Sequence, residues 1–191
     1  MKLINILGSP RKKGTSARIA ESFVEAAKIH GAQVDNFYLN NMDYRGCQGC
    51  EQCHTKADKC ILKDDLTVVL DKMRSAEIAV FSTPVYMGGT SGQFKQFIDR
   101  TWSQVAVDYT SEQPFSSRLP DGKIAIFILT QADVEEKHTD IVERYTEIFG
   151  LYGYDIRVIR SAGLIDGRSD ADVSAAQEKI VMLAHELLGT R

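Results

Sequence analysis

Apolar runs and amphipathic stretches alternate along the chain almost without exception. Leu3 to Leu7 is an apolar run, and Thr15 to His30 carries Ile19, Phe23, Ala26 and Ala27 on one helical stripe. Gln33 to Leu39 reads as a weaker strand, with Asp35 and Asn36 mixed into it. Asp65 to Arg74 places Leu66, Val69, Leu70 and Met73 at i, i+3, i+4 and i+7, the spacing of a helix with one buried face. Ile78 to Phe81 is apolar again, and Ser91 to Val105 reads as a helix bearing Phe94, Phe97 and Ile98 on one side. Ile124 to Leu129 has the strongest strand pattern of all. A helix is predicted from Val134 to Phe149, with Ile141, Val142, Tyr145, Ile148 and Phe149 in register. Tyr154 to Ile159 is a strand, and Val173 to Leu188 a closing helix.

These elements make five βα units, which predicts a parallel sheet covered on both faces by right-handed crossovers. Strand polarity suggests the order. The strands starting at Leu3, Ile78 and Ile124 are apolar enough to be buried on both faces. Those at Gln33 and Tyr154 are interrupted by Asp35, Asn36, Asp155 and Arg157, as sheet edges are. The expected fold is therefore α/β, a doubly wound five-stranded parallel sheet of the flavodoxin-like order 2-1-3-4-5.

Composition narrows the class. With 191 residues, 43% hydrophobic and 26% charged, residues 1–191 are expected to form one domain with a real core. Its two excursions are a cysteine loop at 46–62 and a long connection at 108–122. There is no apolar run long enough for a membrane helix and no signal-peptide layout at the start, so a cytoplasmic protein without a membrane partner is expected. Lys plus Arg is 23 against 26 for Asp plus Glu, a net charge of −3. That argues against a nucleic-acid binder acting through bulk electrostatics.

In sheets of this order, ligands sit beyond the carboxyl ends of the strands, beside the switch point between the first and third. Three segments should meet there: Gly8 to Ser16, Thr83 to Thr90, and the turn at Thr130. The first joins a strand to a helix, and its hydroxyls, N–H groups and basic residues suit a phosphate. It matches neither a Walker loop nor a dinucleotide fingerprint. The plainer reading is a turn capped by Thr15 or Ser16 with solvated basic residues. In the second segment, Gly88 and Gly89 let backbone approach a flat ligand, while Tyr86 and Met87 offer apolar faces. The plainer reading there is a glycine turn before a helix.

The four cysteines, Cys47, Cys50, Cys53 and Cys60, are spaced C-x2-C-x2-C-x6-C. Such a tight set reads as a metal or redox site rather than as structural disulfides. An iron–sulfur cluster, a structural zinc and bare thiols all stand as readings at this point. Asp64 and Asp65 are expected to serve the start of the helix at Leu66 as cap and dipole partners, ahead of a role as paired acids. Only His54 among the four histidines lies near a candidate site, where a solvated loop histidine is the leading reading and a metal ligand or proton carrier the other. Trp102 and Tyr109 fit an interface as well as a core or surface role, and no Ser/His/Asp triad is evident.

GSPRKKGTSARIA, the block GCQGCEQC followed by KCILKDDL, and STPVYMGGTSGQFKQFIDRTW together span most of the first hundred residues. In these the chain resembles the NAD(P)H-dependent FMN reductase superfamily of flavodoxin-like proteins, and within it the iron–sulfur flavoproteins. The resemblance implies that Ser9, Arg11, Thr15 and Ser16 hold the FMN phosphate. It implies that Pro84, Val85, Tyr86, Met87, Gly88 and Gly89 line the isoalloxazine, with backbone N–H groups of the last four tuning it. Thr130 would flank the flavin, although Thr130-Gln131-Ala132 lacks the glycine often found there and puts Gln131 in doubt. Lys95, Asp99 and Arg100 match the following helix as an ion pair or as ligands. Cys47, Cys50, Cys53 and Cys60 would hold one [4Fe–4S] cluster. The implied activity is an FMN-dependent oxidoreductase, with NAD(P)H as co-substrate. Its acceptor would be a quinone, another small molecule or the cysteine-bound centre. The alternative is an FMN/[4Fe–4S] electron carrier exchanging electrons with ferredoxin-like partners. The resemblance also implies a homodimer or homotetramer with flavin sites near subunit interfaces.

Overall fold

The computed structural model describes residues 1–163 and 170–189. In chain order the elements are β1 (Lys2–Leu7), α1 (Thr15–Ile29), β2 (Gln33–Tyr38), α2 (Gln52–Thr55), α3 (Leu66–Ser75), β3 (Ile78–Tyr86), β4 (Gly89–Thr90) and α4 (Gly92–Arg100). Then come β5 (Val105–Val107), β6 (Phe115–Ser117), β7 (Ile124–Thr130), α5 (Thr139–Leu151), β8 (Asp155–Ser161) and α6 (Asp170–Leu188). The central sheet runs β2-β1-β3-β7-β8, all parallel, so the switch point falls between β1 and β3. This is the flavodoxin-like order expected from strand polarity, with β2 and β8 at the edges.

Alternation along the strands builds two cores. Leu3, Ile78, Val80, Ile126, Ile128 and Ile159 face one way, against Ile19, Phe23 and Val24 of α1 and Ile180 and Ala184 of α6. Ile4, Ile6, Ala79, Phe81, Phe127 and Leu129 face the other, against α3, α4 and α5. Phe81 stacks on Phe149 with ring centroids 4.6 Å apart, and Phe94 and Phe127 pack beside them. Each large apolar side chain buried this way contributes about 1.5–3 kcal/mol. Both faces are covered because each βα crossover delivers a helix to one of them.

Four boundaries differ from the expected ones. β3 continues past Phe81 to Tyr86 and folds back into β4, an antiparallel sixth member of the sheet. The helix expected over Ser91–Val105 ends at Arg100, and a 3₁₀ turn follows over Thr101–Gln104. There the polar side chains leave the helical stripe: the Thr101 hydroxyl bonds Ile98 O and meets the Tyr152 hydroxyl, each at 2.6 Å, and Gln104 donates to Leu70 O at 3.1 Å. The connection over 108–122 is part of a small hairpin, β5 against β6. Helix α5 starts at Thr139 rather than Val134, because Gln131 ties down the segment before it. Among the described residues, no helix is long and apolar enough to cross a membrane.

Candidate functional site

Two regions carry the candidate chemistry, and the fold builds them differently. At the carboxyl ends of β1 and β3, one backbone and one side-chain hydrogen bond hold two loops together. Gly8 N–H donates to Ser82 O at 2.8 Å, and the Ser91 hydroxyl, at the start of α4, donates to Gly8 O at 2.5 Å. There is no room for a side chain at Gly8: a Cβ would lie 2.8 Å from Phe94 and 2.9 Å from Ser82 O. Beyond it the loop turns on itself, with Arg11 N–H donating to Ser9 Oγ at 3.1 Å and Gly14 N–H to Arg11 O at 2.9 Å. The Tyr38 hydroxyl pins Pro10 O at 2.5 Å from the neighbouring strand.

Helix α1 begins at Thr15, and Gly14 before it offers no side-chain cap. The expectation of a turn capped by Thr15 or Ser16 is not met. The N–H groups of the first turn have no intrahelical acceptor, and the helix dipole points its positive end at this loop. Ser9 and Ser16 are buried, Thr15 is half-buried and Arg11 is exposed. The arrangement therefore concentrates hydroxyls and N–H donors beside a cationic side chain, a chemistry that fits a phosphate ester.

The second loop is a two-residue hairpin turn. Val85 pairs with Thr90 and Tyr86 with Gly89, leaving Met87 and Gly88 at the tip with φ of 49° and 76°. Both values are those of a type I′ turn. No atom lies near the missing Gly88 side chain, so glycine serves backbone angle here and close packing at Gly8. Met87 is fully exposed and Tyr86 is 40% exposed, so apolar surface projects beyond the sheet. Pro84 is buried and pairs in register with Thr130 of β7, which is buried too. The third loop looks inward: Gln131 Nε2 donates to Val134 O at 2.7 Å and Lys137 O at 3.0 Å, and Arg160 donates to Gln131 Oε1 at 3.0 Å. The Gln131 amide is thus engaged within its own loop.

The cysteine loop has little regular structure beyond α2 and is held by side chains. Arg74 donates to Asp58 O at 2.6 Å, and Arg118 to Cys53 O at 2.8 Å and Ser103 O at 3.1 Å. Arg100 does most. Its side chain is wholly buried, donates to Arg45 O at 2.7 Å, grips both Asp64 oxygens at 2.7 and 3.1 Å, and turns Nε–H to Cys60 Sγ at 3.1 Å. All four cysteines, with Arg100 and Trp102, line one small cavity of about 20 Å³. All four thiols are free; Cys47 and Cys50 are exposed, Cys53 and Cys60 half-buried. Among the described residues, however, no three His, Cys, Asp or Glu side chains are gathered into a metal-holding group. The donor set has the chemistry for a thiolate-bound metal centre, and the loop would have to tighten around one.

Electrostatics follow from this packing. Burial pushes the Asp64 carboxyl up, but the hydrogen bonds and charge of Arg100, with N–H donors from Arg45 and Leu66, outweigh it and hold it below the ordinary carboxylate value. Burial pushes the Cys53 thiol up, with Glu51 adding to it. His54 packs edge-on against Trp102 at 5.1 Å between ring centroids, with both ring nitrogens buried and without hydrogen-bond partners. Burial and then Arg118 lower its pKa. It is a packed histidine, not the solvated one expected.

The acid pair divides its work. Asp64 accepts from Leu66 N–H at 3.1 Å, as a helix-start residue should, yet its larger role is the pair with Arg100. Asp65 accepts from Asp43 N–H at 2.7 Å. Lys95 pairs with Asp99 on the exposed face of α4. Trp102 packs between His54 and Phe115, whereas Tyr109 is 80% exposed. Sequence reasoning missed Arg118, and it joined Arg100 neither to Asp64 nor to Cys60. The one signal was proximity, Asp64 lying four residues after Cys60.

The fold and its switch-point loops define a flavodoxin-like α/β protein. Residues 1–138 match the NADPH-dependent FMN reductase family, and the chain belongs to it. An iron–sulfur flavoprotein of Methanosarcina thermophila is 35% identical over 101 residues, covering 53% of this chain and 52% of that protein. One from Archaeoglobus fulgidus is 39% identical over 101 residues, covering 53% and 49%. The chain thus spans about half the length of the curated relatives it matches. A solved NAD(P)H:quinone oxidoreductase from Methanothermobacter marburgensis superposes with a TM-score of 0.77 at 17% identity, covering 98% of this chain and 96% of that one. An FMN-dependent NADH-azoreductase from Bacillus anthracis, solved with FMN, gives 0.74 at 15% identity, covering 98% and 99%. At such identities the likeness is one of fold.

Proposed function

We propose that the chain is an FMN-dependent oxidoreductase that takes electrons from NAD(P)H and gives them to a quinone or another small acceptor. The observation that carries this reading is the meeting of an uncapped helix N-terminus and buried hydroxyls with an exposed apolar hairpin at the switch point. FMN, when bound, supplies the redox chemistry, accepting a hydride equivalent from reduced nicotinamide and returning electrons to the acceptor. The chain's task is to hold and orient. Ser9, Thr15 and Ser16 hydroxyls, first-turn N–H groups of α1 and the Arg11 cation would take the phosphate. Pro84, Val85 and Tyr86 would line one side of the ring, and N–H groups of Met87, Gly88 and Gly89 would face its polar edge. Thr130 would close the opposite side. Met87, standing clear of the fold, offers an apolar surface that a stacked ligand would cover. A homodimer or homotetramer would cover it as well.

The finer part of the proposal concerns the cysteines. Cys47, Cys50, Cys53 and Cys60 would hold a [4Fe–4S] cluster, which supplies one-electron storage when present. Support comes from four free thiols lining one cavity and from the relatives named iron–sulfur flavoproteins. The same cavity favours a second reading, an electron carrier serving ferredoxin-like proteins. Rapid mixing of the anaerobic, flavin-loaded protein with NADH and with NADPH separates the two. Flavin bleaching within seconds is the expected result. Inertness to both nicotinamides, with rapid reduction by ferredoxin, would overturn the reductase and leave the carrier.

A further inference from the structure

Arg100 is a large, wholly buried cation whose donors do not all go to its counter-ion. The Asp64 carboxylate occupies its two terminal nitrogens, and Arg45 O shares one of them. The remaining nitrogen, Nε, points its hydrogen at Cys60 Sγ, 3.1 Å away, on the wall of the four-cysteine cavity. The fork is therefore divided: one side locks the guanidinium in place, and the other presents a fixed donor to sulfur. Asp64 is also fixed, by Leu66 N–H and Arg45 N–H at 3.1 and 3.3 Å. Cys60 belongs with this anchor, because it packs against the main core.

Resting on the cluster reading above, we propose that Arg100 is the positioning residue of the cysteine site. It presets Cys60 as the anchoring ligand and raises the reduction potential of the iron–sulfur group. Hydrogen bonds to cluster sulfurs and nearby positive charge favour the form carrying the extra electron. The step concerned is simple in its balance: one electron enters from a reductant, the reduced flavin in the working protein, with no bond in the chain made or broken. The added negative charge falls beside a donor that cannot lose its proton. Because the donor is already held by Asp64, little reorganisation accompanies the electron. Partners of this kind also decide how firmly ligands keep their metal.

The test compares wild type with Arg100→Met/Asp64→Leu and with Arg100→Lys after anaerobic reconstitution with iron and sulfide. The double variant removes both charges together, so that no orphan ion is left in the interior. Arg100→Lys keeps the charge but not the fork, and carries the test if the double variant fails to fold. Dye-mediated titration followed by EPR should place the midpoint potential lower in the double variant, with a smaller shift the same way for Lys. Iron should pass to a chelator about 10–100-fold faster in the double variant. A variant with lower melting temperature but wild-type potential and iron-release rate would overturn the proposal and leave Arg100 as a fold-stabilising ion pair. Wild type that takes up no iron would overturn the cluster reading, and this inference with it. The two failures are therefore distinct.

Discussion

The loop at Gly8–Ser16 and the loop at Cys47–Cys60 both carry candidate chemistry, but different contacts hold them. The first is fixed close against the sheet: Gly8 bonds directly to β3 and has no room for a side chain beside Phe94, and the Ser91 and Tyr38 hydroxyls hold Gly8 O and Pro10 O. Its accuracy comes with the sheet beside it. The second is tied down by three arginines reaching in from α3, α4 and the β5–β6 hairpin. It has two half-buried cysteines, two exposed ones and little core of its own. A site packed this closely on the sheet should be sensitive to one added carbon, and an arginine-built site to one deleted charge.

The largest expected effect is in the second loop. Asp64→Ala leaves Arg100 buried without its counter-ion, a change that costs about 3–5 kcal/mol in comparable buried pairs. Denaturant unfolding at neutral pH measures it. The pH dependence has a definite sign. The Asp64 carboxyl titrates below its ordinary 3.8 in the folded chain, so the unfolded chain binds more protons and the contribution is present above that value. It is lost as pH falls through the lower, folded value, and Asp64→Asn should flatten this part of the acid profile.

Arg118→Ala removes charged donors to two carbonyls, worth about 1.5–3 kcal/mol each where well formed. The loss should appear locally, as faster amide exchange over 46–62 with the sheet still protected. Similar or smaller, and in the other region, Gly8→Ala should cost about 1–3 kcal/mol through overpacking against Phe94 and Ser82 O. The contrasting substitution is Gly46→Ala. A Cβ there would meet only Gln96, at 3.4 Å, and its φ is not positive. It should be neutral or stabilise by about 0.4–1 kcal/mol through the unfolded chain. Equal costs at Gly8 and Gly46 would erase the distinction between the regions.

The same distinction explains what could be read from the sequence. Sheet order was legible because burial on both faces forces apolar strands, while Asp35, Asn36, Asp155 and Arg157 mark the edges. The switch-point loops were legible because glycine, proline and hydroxyl residues act within a few positions of themselves. Arg100 meeting Asp64 and Cys60, and Arg118 meeting Cys53, have no periodicity. They join residues 36 to 65 positions apart, and a charge gives no sign of its partner. The β5–β6 hairpin was missed because three-residue strands are too short to show alternation. The start of α5 was misplaced because a single amide, that of Gln131, overrides an otherwise helical pattern at Val134.

The central claim is that the Gly8–Ser16 loop holds the phosphate of FMN. It is tested most directly by equilibrium binding of FMN and of riboflavin to wild type and to Arg11→Ala/Ser16→Ala. Two charge-assisted hydrogen bonds at about 1.5–3 kcal/mol each correspond to a loss of at least about 100-fold in FMN affinity. Riboflavin, which has the same ring and no phosphate, should bind both proteins alike. Unchanged FMN affinity in the double variant, or an equal loss for riboflavin, would contradict the account and make the loop a turn that serves the fold alone.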